Sequence, residues 1–475
     1  MMGSFKVCNY GTFVVMCSSQ AFVDFPVLNA ATLFYVNAHQ PEGCSSSIFP
    51  FSMTTSKDSG ALLPVYLNES LILRSLESGL EYPRRVAVKV NKFLIRSATT
   101  AGDNYLSDVF RMWVSYKRLP GGRDEEISLI VKCLPDKGHR GSIVGLLNAF
   151  DKEVKMFRTI VPELSALVDN ELFAAKLYYA TTDPIRMIVF QDLNAIGFTM
   201  ADRTGGGLDY DHCVVIMRKI AKFHASSLLL AASGASKRRE LEEQFEYGFM
   251  NPHVTDDSNT VLDIFASGFD TLIGCAEKWS EFDRCILDKL KTMRPRYRER
   301  VVACLNQKFS DGFKVINHGD LWINNILFRY GLNGRPEEAI FVDYQLSVYT
   351  SPGIDLNYSL VNCPTFEVRE HQRGNLIKEY HSALAQALKG SNVPIPSLAD
   401  VQLEIKRMSY FSLVAAISIL PIVTMESVAD LDISLDAMVD ESKAKSLRQF
   451  QYNGDRYRKA ITKLMTRFDR DGLLD

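Results

Sequence analysis

The sequence predicts an α+β protein in which a small antiparallel sheet domain precedes a larger, mainly helical domain. Three observations support this class. Strand-like alternation is concentrated in the first half of the chain, helical periodicity dominates the second half, and a hairpin pattern after residue 325 is the main exception there. A cleft between two such domains is a favoured ligand site.

In the first domain, a strand pair is predicted from two apolar runs. Alternate residues of the run 105–119 would share one face of a strand, and they are Phe110, Met112, Val114 and Tyr116. A Pro-Gly-Gly turn leads to a second run at 127–134, so the pair forms a hairpin. A further strand is predicted at 186–193.

The helices are predicted from apolar residues at three- and four-residue spacing. They cover 63–79, 143–160, 211–231, 259–306, 366–389, 400–423 and 440–468.

Three parts of the chain can be distinguished. Residues 1–60 carry few charges and no sustained period, and we expect an extension of unknown role that is poorly ordered. Residues 61–192 form the smaller, sheet-rich domain. Residues 193–475 form the helical domain.

Composition excludes several classes of partner. The 475 residues carry a net charge of −2, with 47% hydrophobic and 23% charged residues, as in ordinary soluble proteins. The near-neutral charge argues against nucleic acid or an anionic membrane as a partner, and no protein partner is predicted. Nine cysteines without metal-like spacing indicate reduced thiols, so a cytoplasmic location is expected.

The segment INHGDLWINNILF, residues 316–328, carries the strongest chemical signal. It places a histidine, an aspartate and two asparagines directly before an apolar run. The runs ILFRY and AIFVDY that follow are both strand-like, and the loop between them contains glycine, asparagine and proline. This pattern predicts a β-hairpin.

The hairpin would bring distant polar residues together. If Tyr330 pairs with Ala339, then Ile326 pairs with Asp343. Asn325 and Asp343 would then flank the same end of the hairpin.

This arrangement suits phosphoryl transfer. Asn325 and Asp343 offer the hard oxygen ligands that Mg²⁺ binds while it keeps waters and takes substrate phosphates. Asp320 would remain free to accept a proton from a hydroxyl group. Each residue alone is more simply a turn or strand-end residue, but the joint pattern H-x-D-x-x-x-x-N, then a hairpin, then Asp favours an enzyme.

The motifs HGDLWINNILF and IFVDYQ resemble the catalytic loop and metal-binding aspartate of the aminoglycoside phosphotransferase and choline kinase superfamily. The longer run through GIDLNY is very similar to the insect ecdysteroid kinase-like family, as are SLIVKCLP, AKFHASS and the closing GLLD. The resemblance covers residues 63–475. It implies a protein-kinase-like two-lobe fold, ATP and Mg²⁺ as cofactors, and a small-molecule alcohol as acceptor.

The resemblance assigns roles around the catalytic loop. Asp320 matches the catalytic aspartate, and Asn325 and Asp343 match the metal ligands. His318 and Asp355 would support the loop structurally. Trp322 and Asn324 receive no role, and His224 on an apolar helix face is expected to be a packed core residue.

The same resemblance assigns the nucleotide site. Lys132 in SLIVK would reach the ATP phosphates and Glu153 would pair with it, although either alone could be a surface charge. No GxGxxG motif is present, so Gly102 and Ser107 are the candidates for the phosphate loop. The hinge that holds adenine through its backbone matches FQDL and contains Gln191, Asp192 and Leu193. The glycine run 203–212 lacks a following lysine and is expected to be a flexible linker.

Three functions stay open at this point. The first is a kinase for an ecdysteroid or a related hydrophobic alcohol. The second is a choline- or aminoglycoside-like kinase for a cationic acceptor. The third is a catalytically silent protein that binds nucleotide or steroid, a reading that the irregular glycine loop keeps open.

Overall fold

The computed structural model describes most of the chain from residue 63 onward. The described residues are 63–98, 107–135, 141, 144–145, 147–202, 204–248, 260–305, 312–426 and 441–475. The predicted extension 1–60 and the candidate phosphate-loop residue Gly102 therefore lie outside the described residues.

The first part of the described chain is built on a five-stranded antiparallel sheet with strand order β1-β2-β3-β5-β4. The strands are β1 (Val88–Ser97), β2 (Asp108–Arg118), β3 (Asp124–Leu134), β4 (Leu177–Thr181) and β5 (Arg186–Gln191). The predicted hairpin is β2 and β3, and the strand predicted at 186–193 is β5. β1 and β4 are additional strands.

One face of this sheet packs against helix α1 (Glu69–Gly79). The side chain of Asn68 caps the helix by accepting a hydrogen bond from the Leu71 backbone N–H at 3.2 Å. Leu71 and Leu76 contribute to the same apolar cluster as the four alternating β2 residues, which are Phe110, Met112, Val114 and Tyr116. The predicted alternation in β2 is confirmed.

The helical segment after β3 differs from the prediction of 143–160. It runs as α2 (Ala149–Lys155), a π-helical turn (Met156–Ile160) and α3 (Val161–Ala166). Asn148, with φ +49°, breaks the helix geometry just before α2, because asparagine tolerates the left-handed conformation. Residues 141, 144 and 145 are helical as well, so Asn148 interrupts the predicted helix, and the helical segment ends at Ala166 rather than at residue 160.

The second part of the described chain is mainly helical. The helices are α4 (Tyr210–Ala232), α5 (Ala235–Gln244), α6 (Thr260–Ala276), α7 (Arg284–Met293), α8 (Tyr297–Leu305), α9 (Gly353–Asn362), α10 (Phe366–His371), α11 (Arg373–Leu388), α12 (Leu398–Arg407), α13 (Ser409–Ser418), α14 (Leu420–Val423), α15 (Glu441–Asn453) and α16 (Asp455–Arg470). This arrangement of a sheet lobe (α1–α3, β1–β5) and a helical lobe (α4 onward) confirms the predicted α+β class.

Several predicted long helices are divided. The run 259–306 is interrupted where Asp283 caps the start of α7 and again before α8, where a short 3₁₀ turn contains Pro295. Gly454 separates α15 from α16. These residues favour helix ends, which apolar spacing alone does not reveal. Within the described ranges, no helix combines the length and apolar character needed to cross a membrane.

Two small sheets join the helical lobe. β6 (Thr199–Met200), β8 (Ile326–Tyr330) and β9 (Pro336–Phe341) form one, and β7 (Val315–Asn317) with β10 (Val348–Thr350) forms the other. The hairpin of β8 and β9 is the one predicted from the sequence.

The predicted register of that hairpin is wrong. Ala339 pairs with Phe328 rather than with Tyr330, and Ile326 pairs with Phe341 rather than with Asp343. The turn is tighter than assumed, because the Gly331 backbone N–H bonds to the Arg335 oxygen at 2.9 Å.

Asn325 and Asp343 nevertheless lie at the same end of the hairpin. The backbone N–H of Val342, one residue beyond the last paired position of β9, donates to the backbone oxygen of Asn325 at 3.0 Å. The convergence predicted from the sequence therefore survives the error in register.

The glycine run before α4 is anchored rather than a flexible linker. The backbone N–H of Leu208 donates to Cys363 O at 2.7 Å, and Leu208 O accepts from the Thr365 N–H at 2.8 Å. A Cβ at Gly207 would lie 2.6 Å from Pro364 backbone atoms, so this close approach needs glycine.

Candidate active site

The loop between β7 and β8 has a backbone conformation that requires glycine. It contains His318, Gly319 and Asp320 and ends in a 3₁₀ turn at Ile323–Asn325. Gly319 has φ +85°, and a Cβ there would lie 2.0 Å from the backbone oxygen of Leu346. The loop can therefore approach the chain after β9 closely only because this residue has no side chain.

Asp355 connects this loop to helix α9. Its carboxylate accepts hydrogen bonds from the backbone N–H groups of His318 at 2.6 Å and Gly319 at 2.9 Å. It also lies 3.2 Å from Nε2 of His224, whose Nδ1 is 2.8 Å from the Tyr380 hydroxyl. Asp355 and His224 are fully buried. Several donors thus surround one buried carboxylate, an arrangement that fixes the loop backbone.

His318 uses both ring nitrogens to hold the loop. Nε2 lies 2.9 Å from the backbone oxygen of Val342, which can only accept, so Nε2 carries the hydrogen. Nδ1 then accepts from the Asp320 backbone N–H at 3.3 Å. Burial lowers the pKa of His318 below its ordinary value, against the opposing charge of Asp355. The neutral imidazole links the loop to the residue before Asp343 and has no nitrogen left for proton transfer.

Asp320 is a partly buried carboxylate with two hydrogen-bond donors. The Tyr358 hydroxyl donates to Oδ1 at 2.7 Å, and Asn325 Nδ2 donates to Oδ2 at 3.0 Å. Burial raises the pKa of Asp320 to about 6, the two donors oppose this rise, and the charge of Asp343 adds to it. A pKa close to neutral suits a general base at physiological pH.

Tyr358 is a site residue that the sequence reasoning missed. Its ring stacks on Phe411, with centroids 5.4 Å apart and planes inclined by 16°, and its hydroxyl is directed at Asp320. A signal was available, because Asp355 and Tyr358 are three residues apart on α9 and so share one helix face. A helix that supports the loop through Asp355 also presents Tyr358 to it.

A buried lysine bridges two carboxylates on the opposite side of the site. Nζ of Lys132 on β3 lies 2.8 Å from Glu153 Oε2 and 2.7 Å from Asp343 Oδ1. Burial disfavours the ammonium, but the two carboxylates outweigh it and raise the pKa of Lys132. For Glu153, burial has the larger influence and raises the pKa of the carboxyl. The structure thus brings Lys132, Glu153 and Asp343 into one cluster.

The residues at the hairpin end fit a magnesium ion. Asp343 adopts the left-handed conformation with φ +69°, and backbone strain of this kind is typical of functional sites. Asn325 uses its Nδ2 to donate to the backbone oxygen and carboxylate of Asp320, so its Oδ1 remains as a ligand atom. In the described part of the chain, no three His, Cys, Asp or Glu side chains are grouped for a metal. One carboxylate and one amide oxygen suit an ion that keeps waters and binds phosphate oxygens.

The predicted hinge lies at the end of β5. The side chain of Asp192 caps the 3₁₀ turn Leu193–Ile196, lies 2.8 Å from Arg111 Nε, and accepts from the Ser128 hydroxyl at 2.6 Å. Because this carboxylate is already engaged within the protein, its contribution is to hold the hinge. Gln191, the last residue of β5, directly precedes Asp192.

A single cavity of about 570 Å³ joins the hinge to the catalytic loop. The predicted site residues that line it are Lys132, Glu153, Gln191, Asp192, Leu193, Asp320, Asn325 and Asp343. Trp322 and Asn324, which received no role from the sequence, line it as well, as do Arg111 and Tyr358.

Of the predicted site residues that the structure describes, three are not among those that line the cavity. Ser107 is buried just before β2 and does not border it. His318 belongs to the loop and Asp355 bonds to the loop backbone, and both side chains lie in the core. Ser107 is 4% exposed, and its place in the phosphate loop stays a prediction, since residues 101–106 beside it lie outside the described part of the chain.

Comparison with known proteins identifies a family. A model of the ecdysteroid kinase-like family matches residues 101–393, which is more than half of the chain. A solved structure of a microcompartment-associated aminopropanol kinase matches with 12% identity and a TM-score of 0.35, over 82% of this chain and 95% of that chain. A likeness at that level carries no argument about function. Comparison with curated proteins finds no match.

Proposed function

The chain belongs to the ecdysteroid kinase-like family, and from that premise we propose that it is an ATP- and Mg²⁺-dependent kinase that phosphorylates an alcohol. The family supports a small-molecule kinase in general. The observation that carries the proposal is that Lys132, Asp320, Asn325 and Asp343, which come from three segments of the chain, line one cavity. We propose an ecdysteroid or a related hydrophobic alcohol as the acceptor.

The charged groups divide the work of binding the phosphates. Lys132 would place its ammonium against the ATP phosphates, and Glu153 holds that side chain through contacts of 2.8 and 3.0 Å. Asn325 and Asp343 would hold Mg²⁺, which when bound supplies positive charge that neutralises the phosphate oxygens.

Asp320 would act on the acceptor. Its carboxylate would orient the hydroxyl and accept its proton, since each carboxylate oxygen has more lone pairs than its present hydrogen bond uses. Tyr358 and Asn325 hold the carboxylate from two sides, so its direction is set before the acceptor binds. Preorganisation of this kind is the main contribution of a protein to phosphoryl transfer.

A cationic acceptor is less well supported than a neutral one. A carboxylate that is already paired with a cation of the protein attracts such an acceptor less. In the described residues that line the cavity, Lys132 pairs with Glu153 and Asp343, and Arg111 pairs with Asp192, so Asp320 is the carboxylate without a cationic partner. The helical wall of the same cavity contributes Arg448, which would repel a cation.

We also propose a cytoplasmic location. Its support is that the described cysteines are free thiols, as expected for a reducing compartment.

The test is phosphorylation of alcohols by the purified protein. With Mg-ATP and a panel of steroid alcohols and choline, we expect a phosphorylated steroid by mass spectrometry, and loss of this product in Asp320→Asn. Asp288→Asn, an exposed position on α7, is the matched control and should keep full activity.

Two results would count against the proposal. Equal product from Asp320→Asn and the wild type would contradict the role of Asp320. Nucleotide binding without turnover of any alcohol would favour the catalytically silent binding protein, and preferential turnover of choline would favour the cationic acceptor.

A further inference from the structure

The part of the cavity that faces the helical lobe is mainly apolar. Its wall is formed by α6, by the region of α13 and α14, and by α15. The apolar residues that line it are Ile264, Phe265, Ile419, Ile422 and Leu447. Part of this wall comes from beyond residue 393, outside the segment that the family model matches. A surface of this kind selects apolar ligand surface and excludes water from it.

Two glutamines interrupt this surface with unpaired atoms. Gln345 lies in the 3₁₀ turn Tyr344–Leu346, which follows Asp343, and Gln451 lies on α15. Both line the cavity and are only 3% and 6% exposed. Among the described residues, Gln345 Oε1 and Gln451 Nε2 have no hydrogen-bond partner.

Unpaired buried atoms of this kind are uncommon and call for an explanation. Burial removes the water that would otherwise bond to them, so a folded protein normally supplies another partner. The two glutamines line a cavity that is large enough for a ligand, so the missing partner can be a ligand group. The two atoms differ in chemistry, because Oε1 accepts a hydrogen bond and Nε2 donates one.

We propose that Gln345 and Gln451 are specificity residues of the acceptor site, which bind oxygen functions of the acceptor other than the hydroxyl that is phosphorylated. This inference rests on the proposed function. Gln345 Oε1 would accept from a ligand hydroxyl, and Gln451 Nε2 would donate to a ligand hydroxyl or carbonyl oxygen.

The ligand class follows from the apolar wall and the two glutamines together. An apolar body fits the wall of isoleucine, phenylalanine and leucine, and the glutamines require at least one further oxygen on that body. A cationic ligand is disfavoured, because the two amides carry no charge and Arg448 is a cation on the same wall. The acceptor is therefore an apolar compound without positive charge that carries more than one oxygen function, rather than a simple apolar alcohol.

A matched pair of ligands tests the inference through binding. Androstanol and androstanediol share one skeleton and differ by one hydroxyl group. We would measure their dissociation constants by calorimetry in the presence of a non-hydrolysable ATP analogue and Mg²⁺, so that no turnover occurs. The proteins are the wild type, Gln345→Met, Gln451→Met and the control Gln449→Met, an exposed position on the same helix.

We expect the wild type and Gln449→Met to bind the diol about tenfold more tightly than the mono-alcohol, as one neutral hydrogen bond allows. At least one of the variants Gln345→Met and Gln451→Met should lose this preference and bind the mono-alcohol as before. Their thermal stability should be unchanged or higher, because methionine replaces an unpaired polar group by an apolar one of similar shape.

The inference is overturned if the diol preference is the same in all four proteins, or if the wild type binds neither steroid. It is also overturned if Gln345→Met weakens binding of the ATP analogue and leaves the steroids unaffected, since Gln345 would then belong to the nucleotide site. A separate assay with Mg-ATP keeps the proposed function distinct: absence of any phosphorylated alcohol contradicts that function, whereas the binding ratios still decide the role of the glutamines.

Discussion

Replacing Tyr358 by phenylalanine should shift the pH dependence of the proposed reaction. The substitution removes the hydroxyl that donates to Asp320 Oδ1 at 2.7 Å, and it keeps the ring that stacks on Phe411. This hydrogen bond stabilises the ionised carboxylate and so lowers the pKa of Asp320. Its loss should therefore raise that pKa and leave Asp320 protonated at a higher pH.

The size of the shift follows from the strength of the bond. A hydrogen bond to a charged group contributes about 1.5 to 3 kcal/mol, and about 1.4 kcal/mol corresponds to one pKa unit. The pKa of Asp320, about 6 in the wild type, should rise to about 7 or 8 in Tyr358→Phe. At pH 7 the ionised fraction should fall from about nine-tenths to between about a half and a tenth.

The assay is the pH dependence of kcat/KM at constant Mg²⁺ and ionic strength. As the pH is lowered, the activity of Tyr358→Phe should begin to decline at a higher pH than that of the wild type. The two rates should converge as the pH is raised. Tyr457→Phe is the matched control, because its buried hydroxyl bonds to Ala416 O at 3.2 Å and not to Asp320. If the acidic limb of Tyr358→Phe coincides with that of the wild type, the reasoning about Asp320 is refuted.

Three further predictions concern the loop and the metal. Gly319→Ala should abolish activity, because the added Cβ would lie 2.0 Å from Leu346 O. The control Gly390→Ala has φ +81° but no atom within 4 Å of the added Cβ, so it should keep activity and lose only about 1 kcal/mol of stability. Activity assays and urea unfolding would compare the two variants. Asp355→Ala should lower the free energy of unfolding by about 3 kcal/mol or more, because it leaves buried donors unpaired, and an unfolding midpoint equal to the wild type would contradict this. Removal of Mg²⁺ by EDTA should stop turnover reversibly, and Asp343→Asn should raise the Mg²⁺ concentration that gives a half-maximal rate. Turnover that does not depend on a metal ion would contradict the metal-binding role of Asp343.

Local patterns were sufficient for much of the fold. The alternation in β2 and the turn chemistry after it predicted the hairpin with β3, because both signals are contained in a short stretch of chain. The predicted helices of the second half were present but divided at residues such as Asp283 and Gly454. Helix ends depend on caps and on turns that apolar spacing does not record.

The candidate site was predicted to a similar extent. Asp320, Asn325 and Asp343 stand close to a recognisable motif, and the structure brings them to one cavity even though the hairpin register was predicted two residues too far. The phosphate-loop candidates Gly102 and Ser107 stay predictions, since residues 99–106 lie outside the described part of the chain.

The sequence by itself determined which chemical groups are available and where the chain can turn. The H-x-D-x-x-x-x-N motif, the hairpin signal and the strand lysine Lys132 are local features, each contained in a short stretch of the sequence. Only the tertiary structure decided that Lys132 bridges Glu153 and Asp343, and that Tyr358 donates to Asp320. These contacts join residues from distant parts of the chain, and the pKa of Asp320 follows from burial and neighbours, which exist only after the chain has packed.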